Sequence, residues 1–282
     1  MQVFNTGAEW QKNWLQALQT KKSIGFVPTM GALHEGHLDL IRASKKSTDL
    51  TVVSIFVNPI QFNNSEDFEK YPILTDQDLK LLEKENVDFV FLPSSESIYP
   101  EKPRLSFNFG ELETVLEGAF RPGHFSGVGV IVSKLFNIIR PHQSFFGQKD
   151  LQQVAIIKRM VADLSFPVEI TVVPTRREGD GLALSSRNMR LSSSEREKAL
   201  LLFNNLTHAK NELMKGEKWL AVRNQITQVF EAEPLAKLEY FELVDPETFL
   251  VYSEFDPTKK SSICVASYIG NIRLIDNLPI IP

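Results

Sequence analysis

Cysteine is almost missing from this chain: among 282 residues only Cys264 carries a thiol. One thiol forms no intrachain disulfide and supplies no Cys-based zinc site, and such usage fits a reducing cytoplasm. There is no uncharged apolar run long enough to cross a bilayer. Residues 1–22 scatter charges through their length and hold no apolar signal core, so a cytoplasmic location without membrane association is expected. Surplus positive charge is lacking too; the formal net charge of −4 speaks against broad nucleic-acid binding. Several signatures are absent. No G-x-x-x-x-G-K-[ST] occurs, the "GVGV" at 127–130 has no third glycine, and there is no H-E-x-x-H. No internal repeat or low-complexity tract is found.

What is present is an alternation. Trp10, Trp14 and Leu18 recur at helical spacing. "SIGFVP" (23–28) then reads as a buried strand, "HLDLIRASKK" (37–46) as a helix and "LTVVSIFVN" (50–58) as a strand. The pattern continues with a helix at 75–86, a strand at 87–93, a helix at 128–140, a strand at 144–147, a helix at 150–164 and a strand at 168–174. Strands alternating with helices predict an α/β fold: a Rossmann-like parallel sheet with helices on both faces. The rhythm changes after Pro174. "TRREGDGLALSSRN" (175–188) is polar, and Gly179 and Gly181 suit a mobile loop. "SSSE" (192–195) is a capping box for a long helix, a second helix follows near 218–232, and "LEYFELVD", "FLVY" and "SSICVASYIG" read as strands. The expected domains are therefore residues 1–175, Rossmann-like, and 176–282, a smaller C-terminal α+β domain.

One stretch stands out. "PTMGALHEGH" (28–37) leaves a strand, makes a glycine turn and enters a helix with two histidines three apart. Ligands of open α/β sheets gather at the carboxyl ends of strands, and helix N-termini there favour phosphate. His34 and His37 suit donation to phosphate oxygens. A polar turn with satisfied imidazoles is a second reading. A metal site is the third, although no further ligand is near in sequence.

The strand–"HEGH"–helix unit resembles the H-x-G-H signature of the nucleotidyltransferase and class I tRNA-synthetase superfamily. Longer strings resemble the pantoate–β-alanine ligase (pantothenate synthetase) family: "VPTMGALHEGH", "VSIFVNPIQF", "RPGHFSGV", "FFGQKDLQQ" and "DGLALSSRN", then "VDPET" and "IRLIDN" near the C-terminus. The resemblance implies ATP-dependent condensation of pantoate with β-alanine through a pantoyl adenylate, releasing AMP and pyrophosphate, in a homodimer that uses Mg²⁺. The catalytic residues it implies are His34, His37 and Lys149. Its ATP-binding set adds Pro28, Thr29, Met30, Gly147, Asp150, Arg176, Leu184, Ser185, Ser186 and Arg187. Pantoate falls to Gln61, Gln153, Met30 and Asn58, and Tyr71 and Arg121 also match functional family positions. The chemistry of these residue types agrees. Phosphoryl chemistry needs positioned positive charge, which Lys and Arg supply, and amides suit the hydroxyls and carboxylate of a small acid.

The chain departs from the family at several points. Gln148 stands where the motif is usually G-E-K-D, and Arg176 adds a positive charge. The acidic pair associated with Mg²⁺ in some members reads Gln77–Asp78, with Asp76 one position earlier. Asp78 is the metal-ligand candidate, and its alternative task is to complement the dipole of a helix N-capped by Thr75. Two other functions compete with the ligase reading. One is a related nucleotidyltransferase acting on a phosphate acceptor; the other is a nucleotide-binding module without catalysis.

Overall fold

The computed structural model describes residues 1–63 and 65–281, which form two compact units. The first comprises the described residues of 1–147 with 156–173, the second those of 148–155 with 174–281.

The first unit is built on a six-stranded sheet: β1 (Gln2–Phe4), β2 (Ile24–Thr29), β3 (Leu50–Ile55), β4 (Phe89–Phe91), β5 (Gln143–Gly147) and β6 (Glu169–Val173). The order is β1-β4-β3-β2-β5-β6, and every pairing is parallel. Successive strand residues face opposite sides of a sheet, and in β2 both sides are apolar. Val27 joins Leu38, Ile41, Val53 and Leu82 in a buried cluster with the helices Glu35–Ser47 and Thr75–Lys84. Phe26, pointing the other way, meets Phe136 of the helix His124–Ile139 edge to face at 6.4 Å. Both faces are thus covered, as the alternation predicts.

Two readings need correction here. β1 is not foreseen, because three residues carry too short a pattern; Phe4 stacked on Trp10 and Phe91 holds it at the sheet edge. Thr75 is not the N-cap: Leu74 occupies that position without a side-chain cap, and Thr75 is the first helical residue.

From β2 the chain winds outward through β3 and β4, then returns to add β5 on the other side of β2. The strand order therefore reverses between β2 and β5, and their carboxyl ends, Thr29 and Gly147, border the crevice where such sheets bind ligands.

The second unit carries an antiparallel sheet ordered β7 (Ala236–Val244), β8 (Ser261–Ile269), β9 (Ile272–Ile281). The helices Ser193–Met214 and Trp219–Glu231 pack on it through Leu202, Leu206, Trp219, Ile226, Phe230, Phe241 and Ile263. The capping box forms: Glu195 N–H donates to Ser192 Oγ at 3.3 Å, and Ser192 N–H to Glu195 Oε2 at 2.8 Å. "FLVY" is not a strand. Asp245 Oδ1 accepts the amides of Glu247 and Thr248 and curls the chain, so only Val251 forms a bridge, to Val244. Among the described residues no helix is long and apolar enough to cross a membrane.

Candidate active site

β2 ends in Pro28 and Thr29, and the chain must turn at once to start the helix at Glu35. Gly31 and Ala32 both adopt positive φ, +81° and +48°. His34 is the N-cap: its Nδ1 accepts the Gly36 amide at 3.2 Å, and His37 Nδ1 accepts the His34 amide at 3.3 Å. This is a capping box made of two imidazoles, with ring centroids 4.1 Å apart. An Nδ1 that accepts from an amide carries no proton, so each neutral ring holds its hydrogen on Nε2. Two Nε2–H donors thus accompany a helix N-terminus, an arrangement suited to anionic oxygens. Sequence reading finds the pair; its reciprocal capping comes only from the structure.

Asp78 closes the same turn from the helix Thr75–Lys84. Its Oδ2 accepts the Ala32 amide at 2.9 Å and its Oδ1 the Leu33 amide at 2.8 Å, with the residue 1% exposed. Burial pushes its pKa up, and the two amide donors oppose that rise. A carboxylate sealed in this way does not fit a direct Mg²⁺ ligand. Its role in this geometry is to hold the loop before His34. Among the described residues no group of three or more His, Cys, Asp or Glu side chains is placed to hold a metal.

Beyond β3, Asn58 precedes the turn Pro59–Gln61 and Gln61 ends it, and both are buried. Asn58 Nδ2 donates to Gln61 Oε1 at 2.9 Å, and Gln61 Nε2 lies 3.2 Å from Met30 Sδ. Three of the four residues expected at pantoate are therefore linked through Gln61, which touches both Asn58 and Met30. Tyr99, which sequence reading passes over, donates to Asn58 Oδ1 at 2.8 Å. Tyr71 is buried against Phe62, and Arg121 pairs with Glu117 at 3.4 Å.

In the second unit Lys149 lies on a short 3-10 turn, Gln148–Asp150, and Gln153 on the helix that follows. Asn277 of β9 clamps this turn: its Nδ2 donates to the carbonyls of Gln148 and Lys149, both at 2.9 Å, while Gln148 Nε2 donates to Asn277 Oδ1 at 3.3 Å. The adjacent Asp276 receives two bonds from the Arg177 guanidinium, at 2.6 and 2.9 Å. Ser185 Oγ caps the turn Ser186–Arg190 by accepting the Arg187 amide at 3.2 Å, Ser186 is buried and Arg176 is exposed. Leu184 donates its amide to the Arg176 carbonyl at 2.9 Å. Asn277 and Arg177 escape sequence reading as structural partners because the groups they hold lie about a hundred or more positions away.

The sheet, its switch point and the two-histidine helix start define a parallel α/β protein with its polar machinery at the carboxyl ends of the strands. Comparison gives the family. The chain belongs to the Pantoate-beta-alanine ligase family, which it matches over residues 2–279. It is 51% identical over 260 residues to the pantothenate synthetase of Thermoanaerobacter sp. (strain X514), covering 91% of this chain and 90% of that protein. The structure of pantothenate synthetase from Thermus thermophilus superposes with a TM-score of 0.92 at 40% identity, covering 100% of both chains. The Francisella tularensis pantoate-beta-alanine ligase, complexed with beta-gamma ATP and beta-alanine, gives a TM-score of 0.79 at 36% identity over 99% of this chain and 98% of that one.

Proposed function

We propose that this chain is an AMP-forming ligase that joins pantoate to β-alanine. A pantoate carboxylate oxygen attacks the α-phosphorus of ATP, the bond to the β,γ-phosphates breaks, and pyrophosphate leaves. The β-alanine amine then attacks the acyl carbon of pantoyl adenylate. The acyl C–O bond breaks, AMP departs, and the amine gives up a proton as the amide forms. The observation that carries this reading is the pair of Nδ1-accepting histidines at the end of β2, in a chain that matches the ligase family along nearly its whole length.

The roles follow from chemistry. His34 and His37 donate through Nε2 to the phosphates as negative charge grows on departing pyrophosphate, and Lys149 adds a point charge to the same task. Pro28, Thr29, Met30, Gly147, Asp150, Arg176, Leu184, Ser185, Ser186 and Arg187 cradle the nucleotide. Gln61, Gln153, Met30 and Asn58 receive pantoate. Mg²⁺ would come as the counter-ion of the triphosphate and neutralise part of its charge, a mode that asks little of protein carboxylates. Residues 1–175 act as the binding domain and residues 176–282 as a lid, in a cytoplasmic homodimer. Tyr71 and Arg121 are further candidates at this site.

The test is a product analysis. Supplied with ATP, Mg²⁺, pantoate and β-alanine, the protein is expected to yield pantothenate, AMP and pyrophosphate in equal amounts. Formation of ADP and phosphate instead would mean an acyl-phosphate route and contradict the reading.

A further inference from the structure

The Gln61 side chain is an amide, and an amide can face a substrate with either its oxygen or its NH₂. Which one it presents is fixed by a chain of buried and part-buried bonds whose polarity has a single starting point. The Gly127 carbonyl, on the helix His124–Ile139, can only accept. Asn58 Nδ2 lies 3.3 Å from it, so the NH₂ end of Asn58 faces Gly127. The same nitrogen donates to Gln61 Oε1 at 2.9 Å. The Gln61 oxygen is therefore turned inward, and its NH₂ faces Met30. Asn58 Oδ1 is left for Tyr99, whose hydroxyl must be the donor across the 2.8 Å contact. Burial raises the Tyr99 pKa and keeps that proton in place.

The backbone around the relay is pinned as well. His124 Nδ1 lies 2.8 Å from the Gln61 carbonyl. Gly127 approaches the turn so closely that a Cβ there would meet the Ile60 carbonyl oxygen at 2.5 Å. Only glycine lets that helix carbonyl reach Asn58. Asn58 is 1% exposed and Gln61 8%, so water cannot readily replace a lost partner.

We propose that Tyr99 is a positioning residue for the acid substrate. Acting through Asn58, it holds the Gln61 amide with Nε2–H outward, so this position donates to a carboxylate or hydroxyl oxygen and disfavours a group that can only donate. The inference rests on the reading of Gln61 as a pantoate contact. Neither its residue type nor its sequence position marks Tyr99 for this task; the relay does.

Steady-state kinetics with each substrate varied in turn tests it. Tyr99→Phe keeps the ring and removes the donor. Its KM for pantoate is expected to rise about 3- to 10-fold, the worth of one neutral hydrogen bond, with the KM values for ATP and β-alanine held within about twofold. Gln61→Glu keeps an oxygen for Asn58 but loses the outward donor, and should raise the pantoate KM roughly 10- to 100-fold while the fold persists by circular dichroism. Overturning results are an unchanged pantoate KM in Tyr99→Phe, a parallel rise in all three KM values, or full pantoate affinity in Gln61→Glu. A wild type that makes no pantothenate from these substrates would overturn the ligase reading and this inference together. A wild type that turns over beside an indifferent Tyr99→Phe overturns the inference alone.

Discussion

The Leu33 amide donates to Asp78 Oδ1 at 2.8 Å across 45 residues of chain, and the neighbouring Ala32 amide takes the other carboxylate oxygen at 2.9 Å. Asparagine in this place would keep one acceptor and set an NH₂ against the second amide. Asp78→Asn is therefore expected to lower stability by about 1–3 kcal/mol, the cost of a buried donor left unpaired, and to reduce turnover by loosening the turn before His34. The Mg²⁺ concentration needed for half-maximal activity should not move. A Mg²⁺ titration displaced to higher concentration in the variant would instead make Asp78 a metal ligand.

The same carboxylate gives a pH signature. Its folded pKa is raised, chiefly by burial. A raised acid binds its proton more tightly in the folded state. Its contribution is thus fully present below the unfolded aspartate value of about 4 and declines as pH rises through the folded value. Denaturant unfolding across this range should show the stability of the wild type relative to Asp78→Asn greatest at low pH and shrinking above it. A difference that grows with pH would contradict the assignment.

The segment 176–184 is tied down more firmly than its glycines suggest. Glu178 N–H donates to the Leu182 carbonyl at 2.8 Å, Leu184 N–H to Arg176 at 2.9 Å, and Arg196 pairs with both Glu178 and Asp180 at 2.7 and 2.8 Å. Gly181, at φ +100°, packs so closely on Phe203 that a Cβ would meet the ring at 2.1 Å. Amide exchange without nucleotide should find Glu178 and Leu184 protected, with ATP adding protection mainly over 185–190. Fast exchange throughout 176–184 in the absence of ATP would restore the simple mobile loop.

Gln148 is matched to Asn277, whose Oδ1 takes the Gln148 side-chain N–H at 3.3 Å while its Nδ2 holds the Gln148 and Lys149 carbonyls. Glutamate at 148 loses that donor and sets a carboxylate beside the Asn277 oxygen. Gln148→Glu should raise the KM for ATP about 2- to 10-fold and leave kcat nearly unchanged, as expected for loss of one modest hydrogen bond. Loss of turnover would show that the Lys149 turn depends on the amide.

Local signals were legible in the sequence. Continuous apolar runs and helical spacing locate the inner strands and the main helices of the first unit, because a buried parallel strand such as β2 is apolar on both faces, as Phe26 and Val27 illustrate. "SSSE" specifies its capping box within four residues. The turn bearing His34 and His37 is likewise local, and so is its glycine. Illegible were the contacts that reach across the chain. Asp78 reads as a helix-dipole or metal residue until the 31–33 turn is placed against it. Tyr99 reads as a lone aromatic until Asn58 comes beneath its hydroxyl. Asn277 has no motif of its own, because its task exists only once β9 meets the turn at Lys149. "FLVY" misleads because strand propensity yields to the Asp245 turn.

The central claim is that the paired histidines and Lys149 serve departure of pyrophosphate rather than amide formation. The measurement that bears on it most directly is pantoate-dependent exchange of labelled pyrophosphate into ATP by His37→Ala, set beside the rate at which the same variant turns supplied pantoyl adenylate and β-alanine into pantothenate. Removing one preorganised donor typically costs about 100- to 1,000-fold in the step it serves. The expected result is an exchange rate reduced by that factor, with most of the second half-reaction retained, and Lys149→Ala behaving alike. Equal loss of both half-reactions would contradict the account and make these side chains holders of the adenylate or of the fold.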